Sequence, residues 1–320
     1  MEQKSVLIGM SGGVDSSVAA ALLKEQGYHV IGATMRLWTY SDSCNMKHEG
    51  CCAESAVEDA RRVCDKLGID FYVMNFKDMF KDKVVDYFVD EYIHGRTPNP
   101  CIACNKYLKF DALLKKALAM GIDYVATGHY AKIEKGEDGK YILRASEAVK
   151  KDQSYVLYNF TQEQLAHTLM PLGGYNKDWV RQKAEELGLG VAHKPDSQEI
   201  CFVEDDDYAK FITDYSGYKP KEGDILDVNG NVIGKHRGLI YYTIGQRKGI
   251  GAYGRPMFVM KIDAENNTIT LGEKGMEFSN ELTAYDVNFV SGEFPKENML
   301  ITAKVRYQAP PAAAMLCPQK

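Results

Sequence analysis

The stretch Ser11-Gly12-Gly13-Val14-Asp15-Ser16-Ser17 constrains this chain more than any other. An apolar run, 6–10, precedes it, and an alanine-leucine run, 18–24, follows. That order reads as a buried parallel strand, a glycine turn and a helix N-terminus. Gly12 and Gly13 let backbone approach a ligand closely, and Ser11, Ser16 and Ser17 add short hydroxyls. The first helical turn aims unpaired N–H groups and a positive dipole end at the same point. The expected ligand is phosphate. A glycine-serine turn also serves as a plain connection, and the missing Gly-Lys-Ser/Thr ending separates this stretch from a Walker loop.

At 320 residues the chain exceeds one ordinary core, so two or three domains are expected. No window approaches the roughly 20 apolar residues of a membrane span, and the first ten residues read as a strand rather than a signal peptide. A soluble, cytoplasmic protein without a membrane partner is expected. Eight cysteines fit a reducing compartment, where paired thiols are more often catalytic or metal-binding than structural. A net charge of −5 argues against a protein that coats nucleic acid generally, but leaves room for a local basic groove.

Along the chain, strands are expected at 29–35 and 71–75, with an amphipathic helix at 53–67 closed by Gly68. The irregular insert 38–52 holds Cys44, His48, Cys51 and Cys52. Adjacent cysteines are poor zinc-ligand spacing, so a flexible substrate-side loop is the preferred reading over a metal site. A helix marked by Val84, Val85, Phe88 and Tyr92 ends near Gly95. Pro98 and Pro100 then hold the chain extended and present Cys101-Ile102-Ala103-Cys104 ahead of a basic helix at 107–120. A thiol at a helix N-terminus has its thiolate stabilised.

The apolar segment 123–130 reads as another buried strand, with Gly128 and His129 at its carboxyl end, the usual ligand edge of an open α/β sheet. Taken alone, His129 is more readily structural than functional. A strand at 141–144, a polar loop at 150–155 and helices at 162–169 and 177–187 follow. Cys201 stands in another turn-rich segment, before the acidic run 204–207. Beyond Tyr215 the texture turns to short strands and glycine turns, including an Asn-Gly hairpin at 223–230. Between 234 and 251 stand Lys235, Arg237, Arg247 and Lys248 with no acid, interleaved with Tyr241 and Tyr242. Basic and aromatic residues on a small β unit favour RNA over a merely solvated face. A third β piece starts at Leu282, with its clearest strand at 300–307. It is too short to close a barrel, so a longer chain is expected. Domains are placed at 1–213, 214–278 and 279–320.

SGGVDSS resembles the PP-loop of ATP pyrophosphatases. With GRTPNPxxxCNK at 95–106, ATGHY at 126–130, KDQSY at 151–155, DSQEICF at 196–202 and GLxYYTIGQRKGIG at 238–251, the chain resembles the tRNA-specific 2-thiouridylases, the bacterial tRNA-uridine 2-sulfurtransferases. Six motifs in order are more specific than any one. The resemblance implies a doubly wound parallel α/β adenylating domain, a small β-rich central domain and a C-terminal β-barrel, here truncated. It departs in two places. Cys101 stands where many relatives carry Asp, and the last barrel strands are missing.

By resemblance, Gly9, Met10, Ser11, Gly12, Gly13, Val14, Asp15 and Ser16 cradle ATP with Mg²⁺, and Met35 and Gly128 lie near adenosine. Cys104 is the implied nucleophile and Cys201 the implied persulfide carrier, charged by a cysteine desulfurase or a sulfur-relay protein. Asn99, Pro100 and Cys101 are implied to line the target-base pocket. His129, Lys151, Asp152, Gln153, Arg306 and Tyr307 are implied to face tRNA. The implied base is the wobble uridine of tRNAs for Lys, Glu and Gln, and a monomer is expected. A second arrangement has Cys101, Cys104 and Cys201 hold a [4Fe–4S] cluster with one iron open to sulfide. The persulfide couple is preferred because no fourth cysteine is obviously placed. Rival readings are other PP-loop enzymes, namely a GMP synthetase, a lysidine synthetase or a 4-thiouridine synthase. A nucleotide- or redox-sensing module without activity is the rival from a different class.

Overall fold

The computed structural model describes residues 3–38, 54–196, 200–203, 206–276 and 278–319. The loop with Cys44, His48, Cys51 and Cys52 lies outside the described residues, as do Ser197 to Glu199 of the DSQEICF motif and part of the acidic run. Among the described residues, no helix is long and apolar enough to cross a membrane.

The chain opens with β1 (Ser5–Gly9), α1 (Val14–Glu25), β2 (His29–Arg36), α2 (Glu54–Leu67) and β3 (Asp70–Asn75). Helix α3 covers 77–93 and α4 covers 100–119, each with a stretch of wider π-type turns, Lys81–Val85 and Cys104–Ala112. Then come β4 (Tyr124–Ala126), the hairpin β5 (Ala131–Lys135) and β6 (Tyr141–Ala145), α5 (Gln162–Ala166), β7 (Thr168–Leu169), α6 (Lys177–Glu186) and α7 (Tyr208–Ser216). Five strands form a parallel sheet in the order β3-β2-β1-β4-β7.

Strand β1 is apolar throughout because both its faces are covered. Val6 and Ile8 pack with α1, α2 and α6, while Leu7 packs on the other side with α3, α4 and α7. Helices on both faces of a parallel sheet make the fold doubly wound, the expected class. The strand order reverses between β1 and β4, so a crevice opens at their carboxyl ends.

The β-rich part holds β8 (Gly223–Leu226), β9 (Val232–His236), β10 (Met257–Asp263) and β11 (Thr268–Glu273), in the order β10-β11-β8-β9. The expected Asn-Gly hairpin is β8–β9, closed where Asp227 N–H donates to Asn231 O at 2.9 Å. Ile225, Val259, Ile269 and Leu271 form its small core. A two-stranded ribbon follows, β12 (Met299–Ala303) and β13 (Ala312–Leu316).

Four local expectations change. Helix α4 begins at Pro100, not near 107. Proline at the first helical position fits, because its missing N–H is one that has no intrahelical partner anyway. The strand expected over 123–130 ends at Ala126, and the backbone leaves the sheet at the crevice. The run 162–169 divides into α5 and the edge strand β7. The strand expected over 300–307 ends at Ala303, and 304–307 turn toward the central domain.

Candidate functional site

A cavity of about 230 Å³ lies at the carboxyl ends of β1, β2 and β4. Gly9, Met10, Ser11, Asp15 and Ser16 form its phosphate-loop wall. Ala33, Met35 and Leu37 line it from the end of β2, and Thr127, Gly128 and His129 from the end of β4. Lys109 of α4 and Gln153 complete the lining. Seven residues expected around the nucleotide therefore share one cavity: Gly9, Met10, Ser11, Asp15, Ser16, Met35 and Gly128.

The loop is shaped from within. Ser16 Oγ accepts from Ser11 N–H at 3.2 Å and donates to Gly13 O at 3.2 Å, and Ser17 Oγ donates to Gly13 O at 2.8 Å. Thr34 Oγ1 donates to Met10 O at 2.8 Å. Gly12 takes φ +69°, and a Cβ there would stand 2.3 Å from Ala56 O, so only glycine fits. Gly13 is the N-cap of α1 and provides no side-chain cap, which leaves the first-turn amides directed at the crevice. Val14, by contrast, is buried in the core, and only its backbone is placed to serve the loop.

Asp15 is gripped from the side. Lys177 Nζ donates to both of its carboxylate oxygens at 2.8 Å, and the Tyr130 hydroxyl donates to Oδ1 at 2.6 Å. Lys177 also meets Asp196 at 2.7 Å, and Asp196 is met by Lys151 at 2.7 Å and Arg181 at 3.3 Å. Burial opposes ionisation of Asp196, but hydrogen bonds from Lys151 and Lys177 outweigh it and hold the carboxyl below its ordinary range. Burial, then the Asp15 charge, pushes the Tyr130 phenol far above its ordinary value, so it stays a donor. Lys194 ties the loop from the other side, reaching Gly12 O at 3.2 Å and Asp59 at 2.8 Å.

His129 is held by Thr127, with Oγ1 to Nδ1 2.7 Å apart. Burial, then the Lys109 charge, depresses its pKa well below the ordinary imidazole value, so the ring is neutral. Gln153 is committed to the backbone of Tyr130: its Oε1 accepts from Tyr130 N–H at 2.9 Å. Asp152 accepts from Ser146 N–H at 2.9 Å and from the Ser154 hydroxyl at 2.6 Å, so it organises its own loop.

The thiols fall on different surroundings. Asn99 caps α4, its Oδ1 accepting from Cys101 N–H at 3.1 Å and Ile102 N–H at 3.3 Å. Pro100 is buried and Cys101 exposed. Cys104, the next turn, is buried within the apolar cluster of the α3–α4 face. Cys201 is half-buried against that same cluster, anchored by its neighbour Phe202, whose ring packs between Phe80 and Phe88. Among the described residues, no group of three His, Cys, Asp or Glu side chains is arranged to hold a metal.

Arg306 and Tyr307 are exposed and stand beside the central motif and the KDQSY loop. Arg306 Nη2 donates to Ile244 O at 3.1 Å, Tyr155 hydroxyl donates to Val305 O at 3.4 Å, and the Tyr155 and Tyr307 rings are 6.1 Å apart.

A family model described as the tRNA methyl transferase HUP domain matches residues 4–205, and its PRC-barrel domain matches 209–273. The tRNA-specific 2-thiouridylase MnmA of Acetivibrio thermocellus is 58% identical over 99% of this chain and 89% of that protein. The enzyme of the same name from Clostridioides difficile is 59% identical over 98% of this chain and 87% of its own length. The chain belongs to the tRNA-specific 2-thiouridylase family. Among solved structures, a 4-thiouridine synthetase–RNA complex with bound ATP is 18% identical, with a TM-score of 0.42, over 62% of this chain and 45% of that one.

Lys177, Arg181, Lys194 and Tyr130 escaped notice as site residues. Each lies far in sequence from the loop it supports, and the helical pattern of 177–187 gives no sign that its first residue turns toward Asp15. Lys109 had one available signal, its place two turns into the helix that carries Cys104.

Proposed function

We propose that this chain replaces the C2 oxygen of the wobble uridine of tRNA by sulfur at the expense of ATP, on tRNAs for Lys, Glu and Gln. The uracil C2 carbonyl is urea-like, and its oxygen does not leave unaided. In this reading that oxygen attacks the α-phosphorus of ATP, pyrophosphate departs, and AMP becomes the leaving group. The loop amides and Lys177 offset phosphate charge, and Mg²⁺ travels with the nucleotide. Asn99, Pro100 and Cys101 face the target base, which an unpaired loop presents at modest unstacking cost.

Sulfur arrives as a persulfide on Cys201, loaded by a cysteine desulfurase or relay protein. The Cys104 thiolate attacks the Cys201 sulfur, forming a Cys104–Cys201 disulfide and releasing hydrosulfide. Hydrosulfide adds at C2 and AMP leaves with the original oxygen. A dithiol then returns the disulfide to two thiols.

The observation that carries this reading is the shared cavity. The phosphate loop forms one wall, and Lys109, on the helix of Cys104, forms another. Mass spectrometry of tRNA nucleosides after incubation with ATP and a persulfide donor tests it. The expected product is 2-thiouridine at the wobble position, absent without ATP. In Cys104→Ser and Cys201→Ser the thiolated base disappears while tRNA-dependent pyrophosphate release persists. Sulfur transfer undiminished in both variants refutes the assignment of the thiols.

A further inference from the structure

Lys177 is the first residue of α6, yet its ammonium is spent on the phosphate loop rather than on its own helix. Its side chain is 13% exposed, and its hydrogen-bond partners are Asp15 Oδ1, Asp15 Oδ2 and Asp196 Oδ1. Asp15 lines the cavity in the first turn of α1, where the polyphosphate of ATP has to lie. A bare carboxylate there repels phosphate, so a cation has to stand beside it. Asp196, in turn, is already met by Lys151 and Arg181. These five groups, Lys151, Lys177 and Arg181 against Asp15 and Asp196, carry one surplus positive charge beside the loop.

We infer that Lys177 is the phosphate-binding ammonium of this site, exchanging Asp15 for a β- or γ-phosphate oxygen while Asp196 holds it in place. This rests on the reading of the cavity as an ATP site. Lysine suits the exchange: its charge is a compact point on a flexible stem, able to swing from one anion to another with its tether to Asp196 kept. Asp196 acts as a positioning residue. It touches no nucleotide, and its charge fixes where the ammonium rests. A merely structural strut between α1 and α6 is the competing account, and it makes a different prediction about ligand size. A strut supports any nucleotide alike, whereas a β,γ-phosphate contact is made by ATP and not by AMP.

Titration calorimetry of the full chain with ATP and, separately, with AMP distinguishes the two. Lys177→Met is expected to weaken ATP binding at least tenfold, in line with loss of one charge-assisted hydrogen bond, while AMP affinity stays within twofold. Lys177→Arg is expected to recover most of the ATP affinity. The charge-balanced double variant Lys177→Met with Asp196→Asn keeps the test open if the single variant does not fold, and is expected to show the same split. Equal weakening for ATP and AMP, or unchanged affinity for both alongside a lowered melting temperature, overturns the inference while leaving the ATP site standing. Failure of the unaltered protein to bind either nucleotide overturns both.

Discussion

Gly128 shows how closely the end of β4 approaches the phosphate loop. A Cβ there would lie 2.7 Å from Ser16 N and 2.8 Å from the Asp15 carbonyl carbon, both of them backbone atoms that cannot step aside. Gly128→Ala is therefore expected to displace the first turn of α1 and weaken ATP binding at least tenfold, with a smaller loss of stability. Equilibrium dialysis beside a denaturant titration measures the two. His129 makes a second prediction at this scale. Its imidazole is neutral when folded and takes up a proton on unfolding below the ordinary value of 6.5. The unfolded state then binds more protons, so stability rises with pH toward about 6.5 and is flat above it. The slope from this one group reaches about 1.4 kcal/mol per pH unit. His129→Gln should remove that component from urea titrations repeated between pH 5 and 7. An identical pH slope in both proteins counts against a neutral imidazole in the folded chain.

Among the elements, α4 ties backbone geometry to chemistry most directly. Its start depends on Asn99, which satisfies two first-turn amides, one of them belonging to Cys101. Asn99→Ala should cost about 1 kcal/mol of stability, and Asn99→Asp should restore it, since aspartate caps as well as asparagine. Chemical denaturation of the three proteins checks this. A loss in Asn99→Asp as large as in Asn99→Ala would show that the cap is not what matters there. The same helix marks where sequence reading stops. The parallel strands β1, β2 and β3 were legible because continuous apolar runs bounded by glycine have few other uses. Asn99-Pro100 reads as a break from the sequence, although a capping asparagine followed by proline is also a helix start. Strand β5 and helix α7 are not legible, for another reason. β5 alternates charged and apolar residues in a solvated hairpin, and α7 buries Ala209 and Ile212 against a core made far upstream. Nothing local in either segment announces its partner. The phosphate-loop wall of the cavity is legible because it is contiguous in sequence at Gly9 to Ser16. Its ionic support, Lys177 and Lys194, is not, because ion pairs across 162 and 135 residues leave no periodicity behind.

At the scale of the whole molecule, separate parts of the chain meet on the loop that lends Gln153 to the cavity and on α3. Helix α7 meets α3 where Tyr92 stacks on Tyr208 at 4.8 Å, and the central domain meets α3 where Ile240 joins the apolar cluster that holds Tyr92. The C-terminal segment reaches the motif 243–251 through Arg306 and the KDQSY loop through Tyr307. The exposed cation Arg306 thus stands between the motif that carries Arg247 and Lys248 and the loop that supplies Lys151. If RNA lies across this border, each cation that meets a phosphate releases counterions, and binding weakens as salt rises. Lys151 is a demanding test because it already pairs with Asp196, and a phosphate has to compete for it. Lys151→Ala is expected to weaken tRNA binding several-fold at 100 mM salt. It should also lower the slope of log affinity against log salt by about one, whatever the tRNA sequence. Arg306→Ala should lower the slope similarly and add a loss that salt does not modulate, because its bond to Ile244 O also secures the C-terminal segment. Filter binding at four salt concentrations with one target tRNA and one non-target tRNA resolves these contributions. An unaltered slope in both variants places the RNA on a different surface, and the basic-aromatic stretch 234–251 then becomes a solvated face.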